Sequence, residues 1–183
     1  MSWLLTAALC IGVPACYVTS QPESIKTVAA FEVPLASQAD RNEFLSILRN
    51  VAGDEGMHVD SASNEELDRQ AGVHPDFKMT LSAGVWKGVK DDESIASAMD
   101  HSDHLGKVWI LFARGEDTAL NNRFRERAMR EIRRKWPGTL SLPIMPTGAI
   151  PLHADLVQTP EGYVVNPNEA HKYELQSQAG PPH

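Results

Sequence analysis

Leu120, Phe124, Ala128, Ile132 and Trp136 recur at four-residue steps, the strongest periodic signal in the 183-residue chain. They predict an amphipathic helix with Asp117 or Thr118 as its cap and Pro137-Gly138 as its stop. A second helix is predicted to open at Ser37, where Asp40 takes the Glu place of a capping box. Its stripe is Phe44, Leu48 and Val51, widened by Leu45 and Ile47, with Gly53 placed to end it. The cleanest two-residue alternation sets Phe77, Met79, Leu81, Ala83 and Val85 against Lys78, Thr80, Ser82, Gly84 and Trp86. It predicts a strand with one face on the core. Residues 108–113 are apolar without a break, as in a central strand covered on both sides.

Weaker patterns fill the gaps. Residues 25–34 are rich in β-branched and aromatic types and read as a strand ending at Pro34. Met57 and Val59 alternate with His58 and Asp60, predicting a short half-buried strand. A short helix is expected near 65–70, one or two helical turns at 94–99, a strand within 140–145 and a final edge strand at 163–165. Pro143, Pro146, Pro151 and Pro160 forbid long regular elements between the last two. The order β-α-β-β-β-α-β predicts an α+β domain. Its economical form is a ferredoxin-like α/β sandwich with a mostly antiparallel sheet of four or five strands and two main helices on one face.

The N-terminus changes the picture from fold to location. Residues 3–18 carry no charge, and the first basic side chain is Lys26. The run is short for about 30 Å of hydrocarbon but fits the apolar core of a secretory signal. Where it gives out, Val13-Pro14-Ala15-Cys16 resembles the bacterial lipoprotein signal, in which a small residue precedes a cysteine that becomes lipidated and N-terminal. The resemblance implies removal of residues 1–15, acylation of Cys16, a tether over 16–24, a single α+β domain over 25–165 and a flexible tail over 166–183. It implies a lipid-anchored protein of the bacterial envelope with its domain facing the periplasm. The competing reading is a buried N-terminal helix with inert thiols at Cys10 and Cys16. Processing would leave no cysteine pair in the domain, so a disulfide framework is not expected.

Net charge is -7 and uneven, -9 over residues 1–106 and +2 over 107–183. An acidic surface of this kind repels nucleic acid, which is not expected as a partner. Between Arg123 and Lys135 seven basic residues meet only Glu126 and Glu131. That face suits an acidic protein or an anionic membrane, with Arg123, Arg127, Arg130 and Arg134 as its candidate contacts; a solvated outer face is the plainer alternative. Trp86 falls opposite Met79, Leu81 and Val85, and with Lys78, Thr80 and Ser82 it would line a sheet face offering an aromatic anchor.

Candidate chemistry is sparse. Asp100-His101-Ser102-Asp103-His104 is the one dense group of potential metal ligands, with His58 or His74 as a distant third imidazole. Ser82, His101 and Asp60 make a hydrolase triad only on paper, without a nucleophile elbow. Gly84, Gly88 and Gly106 form no phosphate-binding loop, and no cofactor is expected. The function expected is therefore a protein-binding envelope lipoprotein acting as scaffold, inhibitor or toxin-neutralising module. A metal-dependent or hydrolytic enzyme centred on His101 and His104, and a membrane-binding protein using residues 123–135, are the alternatives.

Overall fold

The capping box at Ser37 forms as the spacing predicts. The Ser37 hydroxyl accepts from the Asp40 amide at 3.1 Å, and the Asp40 carboxylate accepts from the Ser37 amide at 3.0 Å, opening α1 (Gln38–Asp54). The helix runs past Gly53, and Gly56, at φ 71°, turns the chain into the next strand. In the computed structural model, which describes residues 23–73, 79–88, 93–100 and 106–174, two further helices follow, α2 (Asn64–Val73) and α3 (Thr118–Lys135). Asp117 caps α3, accepting from the Leu120 amide at 3.0 Å.

The described strands form a single sheet. They are β1 (Thr27–Pro34), β2 (Met57–Ser61), β3 (Ser82–Lys87), β4 (Glu93–Asp100), β5 (Lys107–Ala113), β6 (Leu140–Ser141), β7 (Leu156–Thr159) and β8 (Gly162–Val165). Their order is β2-β3-β4-β5-β1-β6-β8-β7, with β6 and β8 parallel and every other pairing antiparallel. A mixed eight-stranded sheet with three helices replaces the expected ferredoxin-like sandwich of four or five strands and two helices.

The difference has local causes. β4 occupies the segment expected to be helical. Val85 pairs with Ala96 while Trp86 pairs with Ser94, so Ile95 is bulged out of register and both Ile95 and Ala96 are buried. That bulge erases the two-residue period, and Ala, Ser and Met are weak strand formers. β6, β7 and β8 are two to four residues long and lie among prolines, too short for a periodic signal.

Alternation gives the sheet two faces. On the front, Phe31, Val33, Val85, Ala98, Val108, Ile110 and Phe112 meet Phe44, Leu48, Phe124, Ala128 and Ile132 of α1 and α3 in the main core. Behind, Ala30, Trp109, Leu111 and Tyr163 are covered by Leu142, Ile144, Ile150 and Leu156, so the chain after α3 closes the back of β5-β1-β6-β8. Residues 166–174 include a 3-10 turn, Ala170–Tyr173, which Asp155 holds by accepting from the Tyr173 hydroxyl at 2.6 Å and Lys172 Nζ at 2.9 Å.

Candidate functional site

The basic residues of α3 fall into two sets. On the flank toward α1, Arg127 donates to Glu55 at 2.8 Å and Asp54 at 2.6 Å, and Arg123 lies 3.6 Å from Glu55. The hydrogen bonds to Glu55 and then Asp54 raise the Arg127 pKa still further. Arg134 pairs with Glu131, and Lys135 reaches Glu43 at 2.8 Å. These four hold α3 to α1 or to itself. Arg125, Arg130 and Arg133 make no ion pair among the described residues, and all three line one groove with Phe31, Glu126 and Met129. The groove holds about 270 Å³ and opens to solvent.

The groove's geometry follows from helical spacing. Arg125, Met129 and Arg133 recur at four-residue steps and so share the flank of α3 that faces away from α1. Arg133 sets its guanidinium 5.0 Å above the Phe31 ring, a cation–π contact that fixes one wall of the groove. Phe31 is itself packed edge-on against Phe112, so the apolar floor belongs to the core. Of the four arginines named from sequence, Arg130 is in the groove, Arg123 and Arg127 are engaged by α1, and Arg134 is paired within α3. Arg125 and Arg133 were missed; their four-residue step around Met129 was the signal.

The Trp86 face is assembled in part. Ser82, Gly84 and Trp86 share the back of β3, and the indole lies directly over Gly84, where an added Cβ would meet its Nε1 at 2.5 Å. Trp86 is half-buried on that bed. Thr80 is drawn the other way, donating its amide to Asp100 at 2.8 Å. Lys78, His74, His101, His104 and Cys16 lie outside the described residues. Asp100 is buried, and its carboxylate accepts the Thr80 and Leu81 amides. Among the described residues no group of three or more His, Cys, Asp or Glu side chains could hold a metal ion, and no helix is long and apolar enough to cross a membrane.

Behind the sheet is a polar cluster that the sequence did not announce. Glu32 is only 3% exposed, yet it accepts from the Tyr163 hydroxyl at 2.7 Å, Trp109 Nε1 at 3.0 Å and Lys107 Nζ at 2.9 Å. His153 Nε2 lies 3.5 Å from the same carboxylate, its ring stacked on Trp109 and edge-on to Tyr163. Burial pushes the Glu32 carboxyl up, but the bonds from Tyr163, Trp109 and Lys107 outweigh it and leave the pKa below the ordinary glutamate value. The bond to Glu32 raises the Lys107 pKa. Burial, then donation to Glu32, raises that of Tyr163. The carboxylate's acceptor sites are taken by its neighbours, so the cluster fastens the C-terminal segment to β1 and β5. A lone acid between Phe31 and Val33 in a mostly apolar strand was its trace in the sequence.

No protein-family model matches the chain, and comparison with curated proteins finds no match either.

Proposed function

We propose that the chain is an envelope lipoprotein, anchored through Cys16, whose domain binds a partner protein in the groove beside α3. The observation that carries this reading is the separation of the α3 arginines. Four basic residues are paired with acids of α1, its C-cap or α3, while Arg125, Arg130 and Arg133 surround apolar Phe31 and Met129 with no acid but the exposed Glu126 among the described lining residues. Arginines around an aromatic floor are the composition of an interface hot spot. The apolar run before Cys16 supports the envelope setting, and a tether raises the effective concentration of the domain near other envelope proteins.

A benzophenone-bearing residue in place of Glu126, on the groove wall, tests the reading in the cell that makes the protein. Irradiation should give one stoichiometric adduct with another protein, and the same group at Asp68 on exposed α2 should give none. An adduct with lipid alone would favour adsorption on an anionic membrane and contradict this function, as would the absence of any adduct.

A further inference from the structure

Among the described residues, the helices cover only part of the front of the sheet. α1 and α3 lie over the strands from β2 to β1, yet the sheet continues past β1 through β6, β8 and β7. Tyr163 and Leu156 face the back cluster, so alternation turns their neighbours Val164 and Val157 to the front. These two are a cross-strand pair, 46% and 43% exposed. The row from the groove floor reaches them in short steps: Phe31 is opposite Ser141, and Ser141 is opposite Gly162, two residues before Val164. At about 4.8 Å between strands, Gly162 lies roughly 10 Å from Phe31.

From this geometry we infer that the occupant of the groove is an acidic amphipathic helix of the partner, seated beside α3 on the front of β6-β8-β7, which no described helix covers. The inference rests on the proposed partner-binding function and names the chemistry of that partner. A helix is about 10 Å across and packs 8–10 Å from its neighbour, and three strand spacings of about 4.8 Å separate β1 from the β7 edge. Its apolar stripe meets Phe31, Val157 and Val164. Carboxylates along the side facing α3 meet Arg125 and Arg130, and Arg133 at the end of the same flank. Between Phe31 and Val164 the floor is built by Ser141, whose hydroxyl and carbonyl oxygens fill the place a Cβ would take on the buried Gly162, so no large side chain stands in the way of the helix there.

The test uses the full chain in phosphatidylcholine nanodiscs and a synthetic 18-residue peptide with leucines at i, i+3, i+4 and i+7 and glutamates flanking them. The expected result is micromolar binding with a gain of helical circular dichroism. The double variant Arg130→Glu/Arg133→Glu should weaken binding tenfold or more, Val164→Asp should weaken it fivefold or more, and the peptide with Gln for Glu should lose tenfold. Arg130, Arg133 and Val164 are exposed, so these changes leave the fold in place. Binding that is absent, or indifferent to all three changes, overturns the inference. Adsorption to phosphatidylglycerol vesicles with the same arginine dependence, and no peptide binding, overturns it in favour of a membrane surface. A protein adduct from position 126 without peptide binding overturns the helical occupant alone and leaves partner binding standing.

Discussion

The Tyr163 hydroxyl donates to Glu32 Oε1 across 2.7 Å, joining two residues 131 apart in the chain. The bond fastens β8 to β1 across β6, which pairs with β1 at only two positions. Tyr163→Phe removes a hydrogen bond to a buried carboxylate and should cost about 2 kcal/mol, and Glu32→Gln should cost at least as much. In the double variant the losses should fall short of additive, as read by urea unfolding. A cost below about 0.5 kcal/mol for Tyr163→Phe would show that the cluster contributes nothing to the fold.

The same cluster sets a pH dependence. The folded pKa of Glu32 lies below its unfolded value, near 4.3, so its contribution is present above that value and is lost as pH falls through the folded pKa. Lys107 and Tyr163 have folded values above their unfolded ones, so their contributions are present below about pH 10 and lost above it. The melting-temperature gap between wild type and Glu32→Gln should therefore be widest near neutrality and shrink below about pH 4. A gap that grows on acidification contradicts the assignment.

Arg127 and Arg130 are three residues apart and should behave oppositely. Arg127→Ala severs the contacts to Glu55 and Asp54 that tie α3 to α1 and should lower the melting temperature, with less effect in high salt. Arg130→Ala should leave the melting temperature unchanged while weakening partner or peptide binding. Equal effects of the two on stability would remove the distinction between tying and free arginines.

Gly162 sits at φ 143° with its Cα against Ser141, where a Cβ would approach the Ser141 carbonyl oxygen to 2.8 Å. Gly162→Ala should cost about 2 kcal/mol or more through strain and the lost β6–β8 joint. Hydrogen exchange should quicken across residues 156–165 and remain slow in β3 and β5. Uniform quickening would mean that this end of the sheet has no local stability of its own.

Cys16 as the lipidated N-terminus predicts an intact mass for membrane-extracted protein that lacks residues 1–15 and carries more than one acyl chain. A mass matching the unprocessed chain contradicts the proposed anchor.

Elements long enough to show a period were legible in the sequence. α3 appeared through its four-residue steps, α1 through its capping box, and β5 through its unbroken apolar run. β4 was hidden because the bulge at Ile95 broke the alternation, and β7 because four residues near Pro160 carry no pattern. The site divided in the same way. A basic α3 was visible, but which of its basic residues are spent depends on Glu43 and Asp54 of α1 and Glu55 just after it, a relation only the folded chain contains. Glu32 likewise gains its meaning from Tyr163 and Trp109, which are distant in sequence.

In the proposed function, the α3 arginines that make no ion pair among the described residues, Arg125, Arg130 and Arg133, hold the partner protein. The most direct measurement is the yield of the photo-adduct from position 126 in the otherwise wild-type chain and in Arg125→Glu/Arg130→Glu/Arg133→Glu, at equal protein levels. A stoichiometric protein adduct that falls at least tenfold on charge reversal is the predicted result. An adduct of undiminished yield, or none in either protein, would contradict it.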